Sequence, residues 1–347
     1  TDDSGNKNYK PTGLLQHYGE ADRMYFGLIT GTWVNNLQGG VVRKNIKSIK
    51  DEINAKTGKF ENVDGIIKTI DKFKIVGFDY GSHSYATECG WIKHEPLSNG
   101  KCRNWGNPIG EMMYEGLRYF AGEKAPTGDF TYDTSADDDA LGLPKPATWE
   151  DPFKDNTATG FKAYSYCSKP FMLVLSDINP SYDSDQMPGS AWTEFSGALK
   201  DTSGTAFNAK EGANTISDYE TSKPTEYFIG DQLNVDYLGA CTEKTDGKLG
   251  DIRGLCPEEP TKQGSYYAAA AAKFGKTHDL NPASNAQKLT TYAVAMSSPL
   301  PKLEIPVGSN TITLVPFAKT VGGNCDSQGC VDGSRNKFQP TNTIVDF

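Results

Sequence analysis

One apolar run, Phe171-Met172-Leu173-Val174-Leu175, passes without a break into Ser176, Asp177, Ile178 and Asn179, with further acidic residues at Asp183 and Asp185. A short run with no polar alternation predicts a strand covered on both faces, as in a parallel sheet flanked by helices. Leu289–Met296 reads as a second buried strand. Asp22–Thr30 and Gly39–Arg43 lie close enough for an antiparallel hairpin, and Leu303–Val307 with Thr311–Val315 flank the turn Gly308-Ser309-Asn310 within a hairpin region at about 302–323. Helical spacing is clearest in Pro108–Phe120, where Ile109, Met112, Met113, Leu117 and Phe120 form one stripe. Asn107 before Pro108 predicts an N-cap followed by a first-turn proline. The alanines of Gln263–Lys276 predict a helix able to lie close on a sheet. A further helix is expected within Asn45–Lys74, although glycine interrupts it.

Between these elements periodicity disappears over 121–168 and 186–260, which read as long loop insertions, the second with a weak strand at Tyr227-Phe228-Ile229. Strands and helices alternate in the remainder, so an α/β sheet decorated with β-hairpins is expected, within a single domain spanning 1–347.

The 347 residues carry 36 glycines and 19 prolines, in keeping with long connections, and 37% hydrophobic residues, enough for a real core. A net charge of −9 without any basic block argues against nucleic acid as the main partner. No apolar run approaches the roughly 18–20 residues of a membrane span. The amino terminus does not read as a signal peptide, and both ends read as cuts within a longer protein.

Seven cysteines suggest three close pairs, Cys89 with Cys102, Cys241 with Cys256 and Cys325 with Cys330, leaving Cys167 over. Disulfides stapling such loops imply an exported chain.

The candidate chemistry sits at the carboxyl end of the central strand, the edge where open α/β sheets bind ligands. Asp177, Asn179, Asp183 and Asp185 offer hard oxygens suited to Mg²⁺ or Ca²⁺. The competing reading makes Asn179-Pro180 and Asp183-Ser184 ordinary turn formers. The acidic stretch Asp133–Asp139 lacks the spacing of a calcium loop and reads as solvated. His17, His83, His94 and His278 lie in unrelated contexts, and no HExxH motif, nucleophile elbow or phosphate loop occurs. A metal-dependent hydrolase using Asp177, Asp183 and His278 is therefore the weaker alternative, and a structural filament subunit another.

The phrases YKPTGLLQHYG (9–19), GGVVRKN (39–45), NPIGEMMYEGLRYF (107–120), KPFMLVLSDINPSYDSDQMP (169–188), DIRGLCPEEPTKQGSYY (251–267) and SSPLPK (297–302) resemble the bacterial PilC/PilY family of type IV pilus tip proteins. The resemblance implies a von Willebrand factor A-like (Rossmann-like) central sheet flanked by helices. It also implies a metal-ion-dependent adhesion site in which Asp177 matches the aspartate after the fourth strand and Asn107 stands where that site has a threonine. The DxSxS element of such a site is only approximated, by Asp2–Asn6. The implied role is non-enzymatic: an extracellular adhesion and assembly module at the cell surface or pilus tip. Its expected partners are minor pilins or other pilus proteins and a host or abiotic surface, and its expected cofactor is Mg²⁺ or Ca²⁺.

Overall fold

Two apolar segments more than a hundred residues apart pair side by side and organise the rest of the chain. In the computed structural model, β5 (Phe171–Ser176) and β10 (Thr290–Ala295) run parallel in unbroken register from Phe171 opposite Thr290 to Ser176 opposite Ala295. The structure describes residues 9–73, 97–100, 103, 106–132, 141–177, 179–193, 195–220, 226–235, 241–245, 247–256, 259–296 and 303–314, with the short strands 78–79, 84–85, 318–321, 325–326, 329–330 and 338–341.

Chain order begins with α1 (Leu14–Gly19), the antiparallel pair β1 (Phe26–Thr30) and β2 (Val41–Lys47), and α2 (Ile66–Asp71). The short pair β3 (Phe78–Asp79) and β4 (Ser84–Tyr85) and the helix α3 (Ile109–Phe120) precede β5. After β5 come α4 (Ala209–Glu220), β6 (Glu226–Ile229), β7 (Asp231–Gln232), β8 (Thr242–Thr245), β9 (Ile252–Arg253) and α5 (Tyr267–Thr277), which leads into β10. β6 pairs with β8 and β7 with β9, both antiparallel. The hairpin of β11 (Leu303–Val307) and β12 (Asn310–Leu314) follows, in the expected place.

The core lies where α3 and α5 meet one face of the β5–β10 ladder. Tyr114, Leu117, Tyr267, Ala270, Ala271 and Leu289 are all essentially inaccessible there. Close approach depends on two glycines: a Cβ at Gly116 would lie 2.6 Å from Met172 Cε, and one at Gly275 would lie 2.9 Å from Leu117 Cδ2. α4 packs against α5, where a Cβ at Gly212 would lie 2.7 Å from that of Ala270.

Three expectations are corrected here. The central strand is not covered on both faces: Met172 and Val174 are half-buried towards the core, whereas Phe171, Leu173 and Leu175 are 43%, 61% and 56% exposed. The reason is that the helices packed on this ladder, among the described residues, are those on its core side. Most of Asn45–Lys74 is not helical, because residues 45–47 extend β2 and only Ile66–Asp71 forms an α-helix. That helix begins where the buried Glu52 carboxylate accepts the Ile66 and Ile67 N–H groups. Residues 186–260, read as a loop insertion, hold α4 and four short strands.

Cys241 and Cys256 form a disulfide. Cys325 and Cys330 stand opposite each other in the ladder of β14 (Cys325–Asp326) and β15 (Gly329–Cys330), flanked by the antiparallel pair β13 (Ala318–Val321) and β16 (Phe338–Thr341). Cys89, Cys102, Asp2–Asn6 and Asp133–Asp139 lie outside the described residues. Cys167 is a free, exposed thiol.

Candidate functional site

The carboxyl end of β5 and the amino end of α3 meet at Asn107. Asn107 and Ser181 form an isolated antiparallel bridge, with the Ser181 N–H donating to Asn107 O at 2.9 Å and the Asn107 N–H donating to Ser181 Oγ at 2.8 Å. That bridge points the Asn107 side chain at the strand end. Its Nδ2 donates to Ser176 Oγ at 2.8 Å, to Asp177 Oδ1 at 2.9 Å and to the Asn179 carbonyl at 3.1 Å. The Asn179 N–H closes the turn on Asp177 Oδ1 at 3.0 Å.

Asn107 is therefore not the side-chain N-cap of α3 that its position before Pro108 predicts. The helix has no side-chain cap from its N-cap residue, Pro108, and the Asn107 amide is spent on the strand end. The first turn is instead bound by Asp183, whose Oδ2 accepts the Gly110 N–H at 3.3 Å.

Of the five residues expected to gather round a cation, the structure brings together Asn107, Asp177 and the Asn179 main chain, and adds Ser176. Asp183 and Asp185 turn the other way. Tyr182 adopts a left-handed backbone with φ 55°, unusual for a non-glycine residue, and the chain after it enters the interior. Asp183 is fully buried, its Oδ1 accepting the Ser265 N–H at 2.7 Å, and burial pushes its carboxyl up to about 7. Glu111, equally buried, accepts the Gly39 N–H at 2.6 Å and the Gln186 N–H at 3.0 Å. Burial first, and then the nearby Asp185 charge, raise it well above the carboxylate range. Asp185 is also raised by burial, against the pull of Arg253. Arg253 lies 4.2 Å from the Trp192 ring centroid and donates to Asp231 Oδ2 at 3.0 Å and Ser184 Oγ at 3.2 Å.

Two layers result. An exposed polar cluster holds one carboxylate, Asp177, with neutral oxygens around it. Beneath it, buried acids tie α3, the 183–186 turn and the segment before α5 to one another. Sequence reasoning singled out neither Glu111, concealed in the helix stripe, nor Ser181, concealed in a turn.

Chemically, the exposed cluster offers three oxygens converging on one point, which the Asn107 amide nitrogen fills. An amide nitrogen has two N–H groups for those three acceptors. A half-turn of the amide would turn Asn107 Oδ1 towards the same three oxygens, so that a cation held among them would meet four oxygens of the hard type that Mg²⁺ and Ca²⁺ prefer. Among the described residues no three His, Cys, Asp or Glu side chains gather as a metal-holding group, so Asp177 would be the sole charged ligand. Two of the three residues a hydrolase would need, Asp183 and His278, are held apart. Asp183 bonds Ser265, just before α5, whereas His278, just after it, stacks on Phe274 at 4.1 Å. The helix between them sets those positions roughly 15–20 Å apart.

Comparison with known proteins adds three findings. A family model described as PilY1 homolog, second domain, matches residues 26–275, and one described as PilY1 homolog, beta-sandwich, matches residues 305–347. The chain is 43% identical over 352 aligned residues to the type IV pilus biogenesis factor PilY1 homolog of Xylella fastidiosa (strain Temecula1 / ATCC 700964). That alignment covers 99% of this chain and 23% of the relative, so the chain spans about a quarter of the relative's length. No solved structure matches it.

Proposed function

The chain belongs to the PilY1 homolog family, and we propose that it is a non-enzymatic, exported module of type IV pilus assembly and adhesion. The observation that carries this reading is 43% identity, across 99% of the chain, to a protein named as a type IV pilus biogenesis factor. The disulfide between Cys241 and Cys256 supports an oxidising, exported setting. No helix among the described residues is long and apolar enough to cross a membrane. In this reading the partners are pilus proteins, with a host or abiotic surface as the target.

The contact edge in this reading is the exposed end of β5. A divalent cation, Mg²⁺ or Ca²⁺, would be held by Asp177, Ser176 Oγ, the Asn179 carbonyl and the turned Asn107 amide, and would supply a positive centre for an acidic group of the partner. Asp177 bears the charge, while Asn107 orients and closes the set.

Replacing Asp177 by Ala in the whole gene product tests the reading in cells. Pili should still assemble, because Asp177 is exposed and Asn107 keeps its bonds to Ser176 Oγ and the Asn179 carbonyl, while attachment in the presence of divalent cation falls to the level of a non-adherent strain. Unchanged cation-dependent attachment by the Asp177→Ala strain would remove the site from the account.

A further inference from the structure

The aperiodic insertion 121–168 has no part in the Asp177 cluster, yet its second half is firmly held. Connections this long without regular structure are usually functional. From Glu150 to Tyr164 the chain folds back on itself. The Asn156 N–H donates to Phe161 O at 3.0 Å in an isolated antiparallel bridge, and the Tyr164 N–H donates to Pro152 O at 2.9 Å. The end of β2 pins the same loop from outside. Asn45 Nδ2 donates to Thr148 O at 3.0 Å, the Glu150 N–H donates to Asn45 Oδ1 at 3.0 Å, and Tyr164 Oη donates to Ile46 O at 3.2 Å. Tyr164 also stacks on Tyr25, with ring centroids 4.1 Å apart. An open cleft of about 680 Å³ lies between this loop and the end of β2. Phe161 and Tyr164 are its aromatic lining, and Lys47, Ser48, Glu150 and Thr159 belong to its polar lining. The half-buried Phe161 ring meets Tyr164 edge-on with centroids 5.5 Å apart, so the aromatic lining is formed before any ligand arrives.

A second, independent observation is a buried carboxylate with an unused oxygen. Glu150 is 4% exposed, and its Oε1 accepts the Thr159 hydroxyl at 2.6 Å. Its Oε2 is buried and accepts no hydrogen bond. Lys47 Nζ lies 3.3 Å from Oε2 as an ion pair without hydrogen-bond alignment, and the Lys47 side chain, 62% exposed, can swing aside. A buried acceptor left unmet is costly, which favours a ligand that donates to it.

We infer that this cleft binds a saccharide, with one pyranose ring against Phe161 and two neighbouring hydroxyls on Glu150 and Lys47. A pyranose has an apolar C–H face and a rim of hydroxyls, and a flat aromatic ring suits the first. A carboxylate only accepts and an ammonium only donates. Side by side they satisfy a vicinal pair, one hydroxyl giving its proton to Glu150 and the other's oxygen receiving one from Lys47. The volume falls in the range of small-molecule sites. The lining charges do not suit a polyanion, because Lys47, Lys50 and Lys162 are set against Asp51 and Glu150, and Lys162 is already paired with Asp155 at 2.7 Å. The cleft shares no residue with the Asp177 cluster, so the inference stands whether or not a cation is held there. The pyranose can belong to a foreign surface or to the producing cell's own polysaccharide.

The test places the product of the whole gene, in EDTA, on an array of defined neutral and uronate-bearing oligosaccharides, with fragments of the producing cell's own polysaccharide as a separate set. Wild type should retain at least one pyranose oligosaccharide, and the set it comes from tells a foreign glycan from the cell's own. Glu150→Gln, which keeps the shape and removes the charge, should weaken binding of that sugar about tenfold or more. Phe161→Leu, apolar without a flat face, should weaken it about threefold or more. Asp177→Ala should bind as wild type does. Melting curves check that each variant folds, and footprinting reads the wild type directly. The retained sugar should slow hydroxyl-radical modification of Phe161 and Tyr164 and leave that of Tyr219, 91% exposed on α4, unchanged. Any of four results would overturn the inference: no saccharide retained, retention that Glu150→Gln and Phe161→Leu keep in full, retention lost in Asp177→Ala, or Phe161 and Tyr164 modified equally fast with and without the sugar.

Discussion

Asn107 determines what the strand end does, because one amide nitrogen is shared by three oxygens. Replacing it with Asp sets a second carboxylate against Asp177. Asn107→Asp should therefore lower the melting temperature in chelator and respond more strongly than wild type to added Mg²⁺; a variant indifferent to both would show that no cation fits there. The buried acids make a pH prediction. Asp183 is raised to about 7 in the folded protein and titrates near 3.8 when unfolded. The stability contributed by its neutral form is complete below 3.8 and is lost as pH rises through 7. Glu111 and Asp185 are raised in the same sense. The protein should melt higher at pH 5.5 than at pH 8, by on the order of 1 kcal/mol per pH unit near neutrality. Asp183→Asn should flatten that slope; a wild type more stable at pH 8 would contradict the assignment. At this scale the pairing of Asp177 with Asn107 was legible only through family resemblance, since 70 residues separate them. Asp183 and Asp185 read as neighbours of Asp177, and the left-handed turn at Tyr182 that sends them inward leaves no mark on a pattern of polar residues.

Elements with a broad apolar stripe were legible, and those packed through small residues were not. α3 lies within its expected bounds because Met113, Leu117 and Phe120 repeat at helical spacing. α4 reads AKEGANTISDYE, rich in poor helix formers, and it docks through Ala209, Gly212 and Ala213 rather than large side chains. This makes the α4–α5 contact sensitive to added volume. Ala270→Leu should cost about 1–3 kcal/mol, seen as a lower urea midpoint at unchanged slope; an unmoved midpoint would mean that the helices do not pack as described. The disulfide staples the residue before β8 to the segment after β9 across a separation of 15 residues. Its removal in Cys241→Ser/Cys256→Ser should cost about 3 kcal/mol by loop entropy, measured by chemical denaturation without reductant; equal midpoints would show that the loop needs no staple. β5 was recognised as a strand, but its length and continuity promised two covered faces and the helices supply one, because covering a sheet is a property of distant chain.

For the molecule as a whole, family membership rests on sequence shared over nearly its full length. The parallel pair β5–β10 carries helices on its core face and polar groups at its carboxyl end, the edge at which open α/β sheets bind ligands. The central claim is that this carboxyl end is a working cation-dependent contact of a pilus protein. Its most direct test is a thermal titration of the whole gene product and its Asp177→Ala variant with Mg²⁺, Mn²⁺ and Ca²⁺. A cation at a hundred times its dissociation constant stabilises the state that binds it by about 2.7 kcal/mol. The account predicts a saturable rise in wild type that Asp177→Ala lacks. Identical curves for the two proteins, shifted or flat, would contradict it.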